Sequence, residues 1–422
     1  MGRTSGDDTD IGTHAEGVHL AIRAQKKPSN IGILDHAGPT LGGGQLVVGH
    51  LAEVLSQYYN VEVINGGSTY TLRDFTVAFG LDLSKVRERR IPELKGSFGI
   101  DGVSSLFRQD KQNTHTLTQP YDLFIYSGLG TPPPCFAKRG LVYCHFPFES
   151  SPLNWLTENV AGARRNRFAR LVKAGAYRLI WRKRMQGYQR ILANSQFTAR
   201  WIDRRWGKSA EVLYPPVDIE VPVVEKRNII VSIGRFVGRG RSKNQLEQVD
   251  AFREFVSKIR EDWILRMIGS CGESSIDQAY LEIVRKAACG LPVEFLLNVD
   301  REVVIQSLAE AKLFWHTTGL SSDETLQPGL AEHFGIATVE AMRARCVPVV
   351  IASGGQREII VNGISGFLTK DIDELARKSI AVTGDDKLLS LMGDHAKQRS
   401  MAFNRDVFEQ RITTVVAECL NQ

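Results

Sequence analysis

The sequence predicts an α/β protein of two doubly wound domains, each a parallel sheet covered by helices, facing one another across a cleft. Strand-sized, nearly uninterrupted apolar runs alternate with helix-sized amphipathic stretches, the pattern of parallel strands buried on both faces. The alternation stops at a proline-punctuated segment, "LYPPVDIEVPVVEKR" (213–227), and then starts again. The 422 residues also exceed what one hydrophobic core normally holds.

Residues 1–29 are polar, carry Asp7, Asp8 and Asp10, and lack an apolar core, so they read as a disordered tail without a secretory signal. The first domain is expected over 30–212. Its strands are "NIGILDH" (30–36), "VEVING" (61–66), "YDLFIYSG" (121–128) and "GLVYCHFP" (140–147), with the helical "LVVGHLAEVLSQYY" after the first. A linker is expected over 213–227 and the second domain over 228–400. There the strands are "NIIVSIGRF" (228–236), "WILRMIG" (263–269), "VEFLLN" (293–298), "KLFWHTTG" (312–319), "VPVVIAS" (347–353) and "GFLT" (366–369), with a helix from Gln245. Residues 401–422 read as a C-terminal helix that packs back on the N-terminal domain. Ligands in such sheets bind off the carboxyl ends of the strands, where the strand order reverses.

Composition fits a soluble globular protein, at 43% hydrophobic and 24% charged residues. The longest apolar runs, such as "VPVVIA" (347–352), are strand-sized and far short of a membrane span. Six cysteines without CxxC or His-paired spacing imply reduced thiols and a cytoplasmic protein. The net charge of +6 is uneven. Ten bases and no acid lie from Arg164 to Arg190 (Arg164, Arg165, Arg167, Arg170, Lys173, Arg178, Arg182, Lys183, Arg184, Arg190). Phe168, Leu171, Ala174, Tyr177, Ile180 and Trp181 recur among them at helical spacing. This amphipathic stretch reads either as a solvated face on its own domain or as a patch that docks on an anionic membrane surface, with Phe168, Tyr177 and Trp181 in the headgroup region. No zinc-finger or ribonucleoprotein-type motif points to nucleic acid.

Three loops carry candidate chemistry. "GPTLGGGQL" follows a strand and opens a helix, so amides at Gly43 and Gly44 could hold an anion at the helix N-terminus. As a dinucleotide fingerprint it is poor, although Glu62, expected at the end of the next strand, keeps an NAD reading open. "SIGRFVGRGRSKNQ" puts Arg235, Arg239, Arg241 and Lys243 in a glycine-bearing loop beyond a strand, a set suited to a diphosphate. "EHFGIATVE" then spaces Glu332 and Glu340 eight positions apart. On a continuous helix they would stand about 12 Å apart, too far to share a proton and better placed to anchor the two ends of an elongated ligand.

"ILANSQFTARWI" (191–202), "LYPPVD" (213–218), "SIGRF…KNQ" (232–245), "EHFGIATVEAM" (332–342) and "VPVVIASGGQREII" (347–360) together resemble the retaining glycosyltransferases of family 4. The likeness runs from about residue 30 to the C-terminus and is strongest in the second half. It implies the GT-B fold, with acceptor in the first domain and nucleotide-sugar donor in the second. "LAEHFGI…VEAM" and "YPPV" are also similar to the mannosyltransferase that extends lipid-linked oligosaccharide in eukaryotes, which favours mannose as the sugar. The resemblance implies that Glu332 binds donor-sugar hydroxyls and Glu340 the ribose hydroxyls. It further implies that Phe334, Gly335 and Ile336 turn their amides toward sugar and pyrophosphate. Arg235 and Lys243 match the diphosphate cations, so neither metal nor cofactor is required, and His145 matches the histidine near the donor sugar. Arg239 or Arg241 could share the role of Lys243, because the Arg235–Lys243 gap is longer than usual. His333 is a further candidate for sugar contact. Arg345 stands where the family often has glycine, in a turn whose left-handed conformation costs a non-glycine residue roughly 1 kcal/mol.

Two DxD sequences, Asp8–Asp10 and Asp371–Asp373, read as chance matches. The absence of HExxH, GxSxG and P-loop motifs sets aside zinc peptidases, the usual serine hydrolases and P-loop kinases. The expected function is transfer of a hexose from a nucleotide diphosphate sugar to a glycan or lipid-linked acceptor, in the cytoplasm or at the inner membrane face. The alternative is a non-catalytic sugar-nucleotide-binding protein of a polysaccharide assembly complex.

Overall fold

The computed structural model describes residues 28–36, 41–66, 70–91, 115–148, 181–182, 184–238 and 242–421. The chain divides into two compact units. One holds residues up to Asn194, Thr198–Leu213 and Asp406–Gln422, and the other holds Ser195–Phe197 and Tyr214–Arg405.

The first unit is built on seven strands: β1 (Asn30–His36), β2 (Asn60–Asn65), β3 (Arg87–Arg90), β4 (Leu123–Leu129), β5 (Arg139–Phe146), β6 (Arg190–Ala193) and β7 (Glu211–Val212). They lie in the order β3-β2-β1-β4-β5-β6-β7, every pair parallel. The order reverses between β1 and β4, which creates a topological switch point at the end of β1. Helix α1 (Gly43–Leu55) buries Val47, Val48, Leu51 and Val54 against Ile31, Ile33 and Val63 of the sheet. The chain's last helix, Arg405–Asn421, adds Phe408, Ile412, Val415 and Val416 to the same cluster. Its rim is an ionic chain, with Arg190 on Glu211 at 2.5 Å and on Glu418 at 2.8 Å.

The second unit has six parallel strands: β8 (Arg227–Ile233), β9 (Ile264–Gly269), β10 (Val293–Leu297), β11 (Ala311–His316), β12 (Val347–Ile351) and β13 (Phe367–Thr369). Their order is β10-β9-β8-β11-β12-β13, with the switch point between β8 and β11. Each unit is therefore a Rossmann-like α/β layer structure.

Several expectations need correction. The segment 213–227 is not a free linker. Val217 and Ile219 are buried in the second unit's core, and Val217 N–H donates to Phe403 O at 2.8 Å. Lys226 lies under that unit, its Nζ donating to the carbonyls of Ala311 (2.7 Å), Ala344 (2.6 Å) and Leu308 (3.2 Å). Burial pushes its pKa down, and the carbonyls take the place of water. The second unit ends at Arg405 rather than at residue 400. Glu62 does not close its strand: it is the third residue of β2 and accepts the Tyr121 hydroxyl at 2.5 Å, so it is not the acidic residue that an NAD reading needs.

Most of the basic stretch, 164–180 and Lys183, lies outside the described residues, as do the tail over 1–27 and Arg239 and Arg241. Trp181 does not face a headgroup layer. It is buried with Tyr126, Met185 and Ile202, its ring edge-on to Trp206 at 5.8 Å. Arg184 is buried too, whereas Arg182 is exposed.

Candidate functional site

The second unit gathers the charges of its motifs at the carboxyl end of its sheet. After β8 the chain runs through Gly234 and Arg235 and returns at Lys243, just before helix α2 (Gln245–Lys258). Lys243 is fixed through its backbone: its carbonyl accepts Thr317 Oγ1 at 2.5 Å and Gln248 Nε2 at 2.9 Å. Thr317 directly follows β11, so the loop is tied to both strands that flank the switch point. The Lys243 Nζ lies 2.6 Å from Glu332 Oε2 and 3.1 Å from His316 Nε2. Arg235, at the mouth of the same loop, is exposed.

Glu332 is not helical. Residues 332–335 form a turn, and helix α3 (Ile336–Arg343) begins after Gly335, whose φ is 121°. The turn is clamped from behind by Gly354 and Gly355. Gly355 N–H donates to Glu332 O at 2.8 Å. A Cβ on Gly354, whose φ is 54°, would stand 2.0 Å from that carbonyl, so only glycine fits. Phe334 is buried in the unit's core, which leaves the carboxylate of Glu332 as the group the turn presents. Glu332 is 8% exposed, and its carboxylate therefore needs partners.

Glu340 sits one turn and a half into α3 and is 5% exposed. It is ion-paired with Arg301, the first residue of the helix Arg301–Glu310. Each carboxylate of the spaced pair thus has its own cation, Lys243 for Glu332 and Arg301 for Glu340. Arg301 and His316 were missed by sequence reasoning. Each stands alone at the edge of an element, without a spacing pattern to mark it. His333 is buried, its ring stacked on Phe197 at 6.5 Å, rather than presented for sugar contact.

Arg345 does adopt the left-handed conformation, at φ 61°. It is the residue after the C-cap in a Schellman turn, with Cys346 N–H on Ala341 O and Arg345 N–H on Met342 O, both at 2.9 Å. Its guanidinium pairs with Asp394 at 2.6 Å. In an Asp394→Asn background, which removes that exposed pair first, Arg345→Gly is expected to raise the unfolding free energy by ~1 kcal/mol. Urea unfolding measures it, and no gain would show the turn to be unstrained. Asp371, of the late DxD sequence, caps the following helix by accepting Glu374 N–H at 2.8 Å.

In the first unit, Gly43 and Gly44 form the first turn of α1, behind an N-cap Gly42 that gives no side-chain cap. A buried network not foreseen from sequence holds this turn to the end of β1. Asp35 accepts the Tyr70 hydroxyl at 2.7 Å and Gln45 Nε2 at 3.3 Å. His145, near the end of β5, is buried with its Nε2 3.0 Å from Ser127 Oγ. Burial alone lowers its pKa to about 4, so the ring is neutral near pH 7. Among the described residues no cluster of ligating side chains could hold a metal ion.

Residues 218–399 match the family model described as Glycosyl transferases group 1. The chain superposes on the structure titled "Crystal structure of Anabaena Alr3699/HepE in complex with UDP and glucose" with a TM-score of 0.63 at 17% identity, over 92% of this chain and all of that one. The architecture is the GT-B fold, and the stretch that matches the group 1 glycosyl transferase model lies in the second unit. In sequence the chain is similar to human GDP-Man:Man(3)GlcNAc(2)-PP-Dol alpha-1,2-mannosyltransferase, 28% identical over 44% of this chain and 39% of that protein. It is also similar to mouse Alpha-1,3/1,6-mannosyltransferase ALG2, 24% identical over 55% and 56% of the two chains. The chain thus matches less than two thirds of these relatives' length. It is a GT-B protein similar to the mannosyltransferases of lipid-linked oligosaccharide.

Proposed function

We propose that this protein is a retaining, metal-independent hexosyltransferase of the family 4 type, moving mannose from GDP-mannose to a hydroxyl of a glycan or lipid-linked acceptor. The observation that carries this reading is the pair of buried carboxylates, each beside its own cation, at the switch point of the second sheet. An elongated ligand with hydroxyls at both ends and a diphosphate between them matches that order of charges. Glu332 takes the sugar hydroxyls and Glu340 those of the ribose. Arg235 and Lys243 neutralise the diphosphate as the glycosidic bond breaks, and the amides of Phe334, Gly335 and Ile336 add the positive end of α3. Gly43 and Gly44 offer further amides, and His145 serves as a neutral hydrogen-bonding group toward the sugar. The mannosyltransferase names of the sequence relatives support the choice of sugar and base.

Thermal-shift and calorimetric titration with GDP, GDP-mannose, UDP and UDP-glucose test the donor. GDP-mannose is expected to bind more tightly than UDP-glucose. Glu340→Ala should weaken GDP itself by ~10-fold or more, the value of about 1.5–3 kcal/mol for hydrogen bonds to a buried charge. Glu332→Ala should leave GDP affinity nearly intact and erode the preference for the mannosyl donor. Unchanged GDP affinity in Glu340→Ala would end the ribose assignment. Release of mannose from GDP-mannose separates an enzyme from a binding protein.

We also assign the basic stretch 164–190, apart from the buried Arg184 and the ion-paired Arg190, to an anionic membrane surface, at about 1 kcal/mol per base near the lipid. Among the described residues no helix is long and apolar enough to cross a membrane. Co-sedimentation with phosphatidylserine vesicles is expected at low salt and lost at high salt, and weakened when Arg164, Arg165, Arg167 and Arg170 become Gln. Protein that stays in the supernatant at low salt refutes this contact.

A further inference from the structure

His316 closes β11 at the switch point and is 2% exposed. Its ring stacks on Phe314, 6.3 Å between centroids. Its Nε2 is 3.1 Å from Glu332 Oε2, the same oxygen that Lys243 Nζ holds at 2.6 Å. The other ring nitrogen, Nδ1, faces Gln356 Nε2 at 3.4 Å. That amide nitrogen also donates to Thr338 Oγ1 at 2.9 Å, and an amide nitrogen can only donate. Nδ1 can therefore accept. Lys243 Nζ, also a donor and 3.1 Å from Nε2, already serves Glu332 Oε2 at 2.6 Å; with the imidazole proton on Nε2, Nε2–H donates to that same oxygen.

The two donors on Glu332 differ in mobility. Lys243 ends a flexible four-carbon stem, whereas His316 is locked in a packed strand end. A diphosphate arriving at the loop draws the ammonium toward itself. Glu332, 8% exposed, then loses its cation at the moment it has to accept sugar hydroxyls. A buried carboxylate without a donor takes up a proton or turns away. The next residue, Thr317, holds the Lys243 carbonyl, and Asn244 Nδ2 donates to Thr317 O at 2.6 Å. One strand end thus registers the lysine through its backbone and the glutamate through its side chain.

We infer that His316 is a positioning residue, which keeps Glu332 aimed and ionised when Lys243 turns to the diphosphate of the donor. This rests on the donor reading above. It gives His316 an effect on the sugar end of the ligand that it does not have on the nucleotide end.

Two measurements test it. On histidine-labelled wild-type protein, long-range nitrogen–proton correlation spectra should show the His316 Nε2–H tautomer. An Nδ1–H tautomer overturns the inference, since Nε2 would then accept from Lys243 and could not donate to Glu332. Calorimetry compares GDP with GDP-mannose for wild type, His316→Phe and His316→Gln. His316→Phe is expected to keep GDP affinity within about 3-fold and to lose about 10-fold or more for GDP-mannose, the scale of one hydrogen bond to a charged group. His316→Gln, whose amide N–H reaches the position of Nε2, should recover part of that loss. Equal losses for both ligands, or none for either, overturn the inference alone. Wild-type protein that binds neither GDP-mannose nor UDP-glucose overturns the donor reading, and this inference with it. If His316→Phe fails to fold, the tautomer and the His316→Gln titration still decide.

Discussion

Lys243→Ala is expected to lower turnover of the sugar-nucleotide donor by ~100-fold or more. A preorganised charge at a leaving group is typically worth ~3 kcal/mol of barrier. Lys243 meets that description because its position is built rather than incidental. Thr317 and Gln248 hold its carbonyl, and its stem lies across Gly234, where a Cβ would stand 2.3 Å from Lys243 Cγ. Its Nζ sits on Glu332 at 2.6 Å. Arg235→Ala should lose a comparable factor from the other side of the loop. The measurement is steady-state mannose release or transfer from GDP-mannose, with circular dichroism to confirm the fold. Near wild-type turnover in Lys243→Ala, with an inactive Arg241→Ala, would move the diphosphate role along the loop to Arg241. Because Lys243 also neutralises a mostly buried carboxylate, Lys243→Ala should cost stability as well. Lys243→Ala paired with Glu332→Gln separates the effects: it removes the orphaned charge and restores stability without restoring turnover.

The fold was legible wherever burial on both faces left an apolar run. That holds for "NIGILDH", "VPVVIAS" and the other central strands. Three strands of the first sheet gave no such signal. β3 reads Arg-Glu-Arg-Arg, since an edge strand needs no apolar face and charge there guards against pairing with another chain. β7 is two residues long, and β6 is a four-residue piece of a segment read for its motif alone. The candidate site was half legible for a related reason. Glu332, Glu340, Arg235 and Lys243 announce themselves by spacing within one loop or motif. Arg301 and His316 come from elements 39 and 16 residues away from their glutamates, and only the strand order of the second sheet brings them in. Trp181 shows the limit of periodicity. Helical spacing indicates that an aromatic lies on an apolar face but not what covers that face, and here it is the unit's own core.

The first unit is expected to lose stability as pH falls from about 6.5 to about 4, by roughly 2–3 kcal/mol from His145 alone. The group lies at the end of β5 and is 7% exposed. Burial lowers its pKa to about 4, whereas an unfolded chain returns it to about 6.5. Between these values the unfolded chain binds a proton that the folded chain refuses. The slope is therefore a gain in stability with rising pH, complete above about 6.5 and exhausted below about 4. Its hydrogen bond with Ser127 Oγ, at 3.0 Å, can be met by the neutral ring in either direction of donation. Denaturant unfolding at pH 7.5, 5.5 and 4.5 measures the effect, with His145→Gln as the reference because it keeps a polar partner for Ser127 and cannot titrate. The difference between wild type and His145→Gln should shift against the wild type by about 2 kcal/mol or more from pH 7.5 to 4.5. Parallel curves would mean that His145 is charged, or reached by water, in the folded protein. The same low pKa has a consequence for the proposed transfer. In the role proposed for it, His145 would assist the sugar by hydrogen bonding without adding charge, and no acid limb of kcat above pH ~5 should trace to it. An acid limb near pH 6.5 that His145→Gln abolishes would contradict that neutral role.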